Sequence, residues 1–205
     1  MRLIAEKLSG GRGGETLFSD IDLDLDPGDS LIVTGPNGSG KSTLLRTIAG
    51  LLPLESGTLH LEDGGENWPS VASACHYLGH LNAMKTALTV EENLGFWRDF
   101  LGETRLGISE ALNLVELGGL GHLPFGYLST GQKRRAALAR LLVCHRPIWL
   151  LDEPTAGLDA ASEEMFAGLA REHLRAGGIL IAATHQALGV EATRELRLGM
   201  AAVPA

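Results

Sequence analysis

Between Asp20 and Asp26 the chain alternates strictly: Ile21, Leu23 and Leu25 face one way, and Asp20, Asp22, Asp24 and Asp26 face the other. Thr16 to Asp26 is therefore expected as a half-buried antiparallel strand with an acidic outer face. Such a row of aspartates fits either a solvated, charge-protected sheet face or a Ca²⁺ site. Leu3 to Leu8 reads as an earlier strand, and the glycines from Gly10 to Gly14 as the turn between the two. Pro27-Gly28 turns the chain into Ser30–Thr34, an apolar run with the length of a buried strand. Thr43 to Gly50 has helical spacing and a glycine in the usual stopping position. Leu51 to Ser56 is a loop, Gly57 to Glu62 alternates as a strand, Asp63 to Ser70 is a loop, and Ser73 to Gly79 is a short strand.

From Thr89 to about Tyr127 the period changes to that of helices, over Val90–Leu101 and Ile108–Leu117. A long helix follows from Lys133 to Cys144, then the wholly apolar strand Pro147 to Asp152. Ala160 to Ala176 reads as a helix, Gly178 to Ala183 as a strand, and Thr184 onward as a further helix. Alternating strands and helices imply a parallel sheet wrapped by helices, here with an antiparallel β part before it and a helical insertion within it.

The stretch between the third strand and its helix carries the first chemistry. Gly35-Pro36-Asn37-Gly38-Ser39-Gly40-Lys41-Ser42 fits G-x-x-x-x-G-K-[ST], and Thr43 continues into the helix. The glycines let backbone N–H groups turn inward, and the helix N-terminus adds its dipole, so the loop is built for phosphates. In that role Lys41 reaches the β- and γ-phosphates and the Ser42 hydroxyl binds Mg²⁺. Apolar Ile148 to Leu151 followed by Asp152-Glu153 matches the second nucleotide motif. A buried strand there delivers two carboxylates at its C-terminal end, where ligands of α/β sheets sit. Asp152 is the Mg²⁺ carboxylate, direct or through water, and Glu153 the general base for the attacking water.

Composition narrows the class. The chain has 205 residues, 44% of them hydrophobic, and a formal net charge of −8. That length suits one domain, or one domain with a subdomain inserted in it, and the acidity argues against a nucleic-acid partner. Cys75 and Cys144 match no metal or redox spacing and read as reduced core residues. Met1 to Lys7 has too short an apolar run for a signal peptide. The longest apolar candidate, Ala136 to Asp152, is cut by Arg140, His145 and Arg146, short of the roughly 18 apolar residues a membrane span needs. The expectation is a soluble or peripheral chain whose membrane work, if any, is done by a partner.

Leu128-Ser-Thr-Gly-Gln132 resembles the LSxGQ signature of ABC-type ATPases, and lies between the phosphate loop and the Asp152-Glu153 strand as in that family. Ala156-Gly-Leu-Asp159 resembles its D-loop, and Thr184-His185 its switch histidine. The resemblance spans the chain. It implies one ABC cassette over residues 1–205: a core with a β subdomain at about 1–88 and 128–205, and a helical subdomain at about 89–127. It implies an ATP- and Mg²⁺-dependent ATPase in which two copies stack head to tail. Each ATP is then held by Lys41 of one copy and by Ser129, Gly131 and the signature Gln132 of the other. In that arrangement Asp159 links the two sites and His185 contacts the γ-phosphate. Two positions depart from the family. His80 stands where glutamine is usual in the loop that senses Mg²⁺ and the attacking water; it is either a sensor or a structural loop residue. Arg12 stands where an aromatic usually stacks on adenine; it either stacks or is solvated.

A narrower resemblance joins His76-Tyr-Leu-Gly-His80, Lys85, Leu88-Thr89 and Glu92-Asn-Leu94 with Leu128–Arg135, Ala137–Leu141 and Thr184-His-Gln186. Together they are similar to the haem-exporter ATPases (CcmA) of bacterial cytochrome c maturation, and the short carboxyl end near residue 205 fits them. This implies a peripheral subunit on the cytoplasmic face of the bacterial inner membrane, with membrane subunits resembling CcmB and CcmC. ATP would be used to release the haem-loaded chaperone CcmE. The alternatives are another small-molecule ABC transporter or a soluble ABC ATPase; the latter class needs a long coiled coil or two linked cassettes, and neither is present here. No C-x-x-C-H occurs, which argues against haem attachment to this chain. His60, His76, His122, His145 and His173 share no ligand spacing, and Trp68 and Trp149 read as packing residues. Trp97 and Phe100 read either as packing residues or as part of a docking patch.

Overall fold

The computed structural model describes residues 1–102 and 104–199; the carboxyl end beyond them, at 200–205, lies outside the description. The first layer is a three-stranded antiparallel sheet of β1 (Arg2–Arg12), β2 (Glu15–Leu25) and β4 (Ser56–Glu62), in the order β2-β1-β4. The second is a five-stranded parallel sheet in the order β5-β6-β7-β3-β8, with β3 (Ser30–Thr34), β5 (Cys75–Leu78), β6 (Ile148–Asp152), β7 (Ile179–Ala183) and β8 (Arg194–Arg197). Among the described residues the α-helices are α1 (Lys41–Ile48), α2 (Val90–Leu101), α3 (Ile108–Leu114), α4 (Thr130–Val143) and α5 (Ala160–Arg175).

Every residue of β6 and β7 is buried, as a parallel strand covered on both faces requires. Their alternation divides the core in two. Ile148, Leu150, Ile179, Ile181 and Ala183 pack with β1, β2 and α1. Trp149, Leu151, Leu180 and Ala182 pack with α4 and, through it, with α2, α3 and Phe125. Thr89 opens α2 with a capping box: its hydroxyl accepts from Glu92 N and the Glu92 carboxylate accepts from Thr89 N at 2.7 Å.

The acidic outer face of β2 is bound internally. Arg2 reaches Asp24, Asp26 and Glu62, and Lys7 N donates to Asp22 at 2.7 Å. Several sequence expectations need correction; the helix from Ile108 ends at Leu114 rather than Leu117, and the strand expected from Ser73 begins at Cys75 after a 3₁₀ turn. The first strand does not stop at Leu8 but runs to Arg12, past register shifts in its pairing with β2, so the turn shrinks to Gly13-Gly14. The long helix starts at Thr130, not Lys133, because Ser129 and Gln132 form their own capping box. Among the described residues no helix follows Thr184. The segment crosses the end of the sheet and adds β8 beside β3, pinned by Ser30 and Thr193: Ser30 N donates to Thr193 Oγ1 at 3.0 Å and Ser30 Oγ to Glu191 O at 2.6 Å. An unpaired edge of β3 outweighs the weak helical spacing of this polar segment.

Two imidazoles are sealed in the core. His76 Nε2 lies 3.1 Å from Cys144 O, and burial beside Arg140 and Arg146 pushes its pKa down to about 3. His173 stacks on Trp149 at 4.0 Å between ring centroids, its Nε2 3.2 Å from Ile179 O, and burial lowers its pKa to about 4. Above pH 6.5 both are neutral in folded and unfolded chains alike. As pH falls below 6.5, the unfolded chain binds protons that the folded chain refuses, so stability is lost toward acid. The expected slope is up to about 1.4 kcal/mol per pH unit for each histidine between pH 6.5 and about 5. Urea unfolding across that range checks it, and the pair of changes His76→Gln and His173→Gln should flatten the slope.

Candidate functional site

The chain leaves β3 at Thr34 and turns at once. Gly35 sits at φ 142°, and a Cβ there would stand 2.4 Å from Leu198 O, so only glycine fits. Gly40 caps α1 in the left-handed region at φ 94°, and no acidic residue stands in the first turn of that helix. The open N–H groups of the turn thus face an uncompensated positive helix end, which suits an anion. Lys41 Nζ folds back to donate to Gly35 O at 2.7 Å and Pro36 O at 3.0 Å. Ser39 Oγ is buried without a hydrogen-bond partner among the described residues.

The carboxylate pair arrives from β6. Asp152 is the last residue of the strand and is buried. Glu153 stands just beyond it at φ 47°, a left-handed conformation that a non-glycine residue holds only under outside constraint. Its N donates to Ala183 O at 2.9 Å, and its Oε2 accepts from Thr184 Oγ1 at 3.1 Å. A cleft of about 420 Å³ joins the two motifs. Asn37, Gly38, Gly40, Lys41, Ser42 and Thr43 line one side and Asp152 and Glu153 the other, with His80 and Arg12 at its walls.

Gly35, Pro36 and Ser39 complete the loop without lining the cleft. The other sequence candidates lie apart from it. Ser129 and Gln132 cap α4, with Ser129 N donating to Gln132 Oε1 at 2.9 Å, and Gly131 follows in the first turn. Asp159 caps α5 by accepting from Ser162 N at 2.9 Å, and those bonds hold its carboxyl below the usual range. His185 is exposed, two residues past the end of β7.

Sequence reasoning passed over Arg134 and the hydroxyl of Thr184. Arg134 is buried and donates to the backbone carbonyl of Gly79, beside His80, and to those of Asp152, Glu153 and Pro154 at the end of the carboxylate strand. Burial lowers its pKa, and the charges of Asp152 and Glu153 oppose that shift. A signal existed: Arg134 falls on the helical stripe of Ala137, Leu138 and Leu141, where a charge is out of pattern unless it is paired.

The sequence profile of the ABC transporter family matches residues 18–156, which hold the phosphate loop, the signature and the carboxylate strand. The chain belongs to the ABC transporter ATP-binding family. It is an ATPase of that family, and ATP is the nucleotide it binds. This ABC ATPase is 68% identical over 201 residues to the cytochrome c biogenesis ATP-binding export protein CcmA of Mesorhizobium japonicum, covering 98% of this chain and 100% of that protein. It is 65% identical to the protein so named from Chelativorans sp., over 97% of this chain and 98% of the relative. Against the Rhizobium meliloti protein of that name the identity is 54%, over 97% and 98% of the two chains. A solved Pyrococcus furiosus protein described as an ABC transporter ATP-binding protein superposes with a TM-score of 0.81 at 25% identity, over 97% of this chain and 98% of that one. Among the described residues, no helix is long and apolar enough to cross a membrane.

Proposed function

We propose that this ABC ATPase drives a membrane export complex of bacterial cytochrome c maturation, hydrolysing ATP to release a haem-loaded chaperone. The single observation that carries this reading is the 68% identity to a CcmA protein along that protein's whole length. The chain is read as one cassette, with the helical subdomain at about 89–127 set on a nucleotide-binding core. Its working state is a head-to-tail pair that places Ser129, Gly131 and Gln132 of one copy over the ATP held at Lys41 of the other. Asp159 joins the two sites, and His185 meets the γ-phosphate.

Within one copy, the N–H groups of Gly38 to Ser42 and the Lys41 ammonium bind the phosphates. Ser42 and Asp152 are hard oxygen donors on the same cleft, the set that Mg²⁺ prefers, so they are its proposed ligands. When bound, Mg²⁺ neutralises charge that develops on the phosphoryl oxygens. Glu153, oriented by the Thr184 hydroxyl, takes a proton from the attacking water, and His80 at the wall of the cleft holds that water in line.

The partner side of the reading rests on an apolar surface around the helical subdomain. Phe96 and Phe100 stack at 5.9 Å and are 53% and 69% exposed, while Leu81, next to His80, is 81% exposed and Tyr127 83%. Such a surface fits membrane subunits resembling CcmB and CcmC, which would hold the chain at the cytoplasmic face of the inner membrane. The test is replacement of this chain in its host. A Glu153→Gln version should co-purify with a CcmB-like subunit yet fail to support c-type cytochrome assembly. Normal assembly without any functional copy, or co-purification with a different transporter, would overturn the proposal.

A further inference from the structure

We propose that Arg134 is a positioning residue for hydrolysis, the clamp that fixes the distance between His80 and Glu153. It is 4% exposed, and its fork spans both walls of the cleft. On the carboxylate side Nε donates to Pro154 O at 2.9 Å, and Nη2 donates to Asp152 O at 3.1 Å and Glu153 O at 2.6 Å. On the other side Nη1 donates to Gly79 O at 2.9 Å and to Asn82 Oδ1 at 3.2 Å. Gly79 and Asn82 bracket His80, and Asp152 and Pro154 bracket Glu153. One planar group therefore holds the backbone on either side of Glu153, and on the His80 side the Gly79 carbonyl and the Asn82 side chain.

The strain at Glu153 makes this hold useful. Its left-handed backbone at φ 47° needs support, and its carbonyl receives the shortest of the five Arg134 bonds. Below the clamp a second cleft of about 200 Å³ is lined by His80, Asn82, Thr130, Arg134, Glu153 and Ala156. Arg134 also belongs to the first turns of α4, the helix that Ser129 begins. A shift of the start of α4 is thereby passed to His80 and Glu153 together. Lysine cannot replace the fork, since a single ammonium has no planar set of donors aimed along two directions.

This inference rests on the assignment of Glu153 and His80 to hydrolysis given above. The test uses the full chain with Mg-ATP, measuring steady-state turnover and equilibrium binding for Arg134→Lys, Asn82→Ala, His80→Ala and the pair Asn82→Ala with His80→Ala. Arg134→Lys is expected to lower kcat by about a hundredfold, the cost of a roughly 1 Å misplacement, with KM within about twofold. Asn82→Ala removes one bond of five at the edge of the loop and spares the fold. It should lower kcat about threefold to tenfold, and add little to the loss already caused by His80→Ala. Unchanged kcat in Arg134→Lys overturns the clamp. So does an Asn82→Ala loss that multiplies in full with that of His80→Ala, because the two would then act independently. A failure of the underlying assignment has a different mark, namely normal turnover by Glu153→Gln.

Discussion

Glu153→Gln is expected to cut ATP hydrolysis by at least about a hundredfold while leaving ATP bound, the span typical for loss of a general base. The change keeps the shape of the side chain. A glutamine Oε1 can still accept from Thr184 Oγ1, which lies 3.1 Å from the present Oε2, and the backbone bond from residue 153 N to Ala183 O is untouched. What disappears is the basicity needed to take a proton from water. Asp152, Ser42 and Lys41, the proposed nucleotide and Mg²⁺ contacts on the same cleft, are untouched. One negative charge also leaves the wall of a cleft that receives a triphosphate, so affinity should hold or rise. With hydrolysis blocked, the ATP-closed pair should accumulate. Turnover with Mg-ATP, nucleotide retained after gel filtration, and the mass of the eluting species check the three parts. Normal turnover by the variant would remove Glu153 from the role of base.

The sequence made legible what local chemistry decides. The strand Ser30–Thr34 and the helix Val90–Leu101 carry the same bounds in the structure as in the pattern. The first is bounded by a proline-glycine turn and the phosphate loop, and the second opens on the Thr89–Glu92 capping box. The loop and the Asp152-Glu153 pair were found because each is a contiguous string whose mechanism dictates its flanks. What escaped was decided by partners far along the chain. β8 exists because β3 offers an edge and Ser30 meets Thr193, a contact across 163 positions that no local period records. The first strand continues through Ser9, Gly10 and Gly11 because β2 pairs with it past its register shifts, although glycines alone read as a turn. Arg134 sits in the run Lys133-Arg134-Arg135, where only its place on the apolar stripe of α4 sets it apart from its neighbours. The fold buries the middle residue of the three and leaves Lys133 and Arg135 half-buried, and the partners that pair it lie 18 to 55 positions away. The signature illustrates a further overlap: Ser129 and Gln132 form a helix cap by themselves, so the same letters serve the start of α4 and the proposed contact with a second copy.

Lys41→Ala should weaken ATP binding by about two to three orders of magnitude without unfolding the chain. The ammonium donates to Gly35 O and Pro36 O, at 2.7 and 3.0 Å, within its own loop. ATP replaces these neutral acceptors with charged phosphate oxygens, a stronger class of bond worth about 1.5–3 kcal/mol each. Two such contacts, less the carbonyl bonds given up, leave a loss of about 3–4 kcal/mol, and each 1.4 kcal/mol is tenfold in affinity. The loss stops there because the N–H groups of Gly38 to Ser42 and the end of α1 still face the phosphates. Stability of the empty protein should change little, since the bond to Pro36 is exposed and alanine is the best residue inside a helix. Thermal unfolding separates binding from folding. At an ATP concentration about a hundred times the wild-type Kd, the wild type gains about 2.7 kcal/mol from ligand, whereas a variant weakened a hundredfold gains about 0.4 kcal/mol. Equal ATP-dependent shifts in the two proteins would place the phosphate contact on groups other than Lys41.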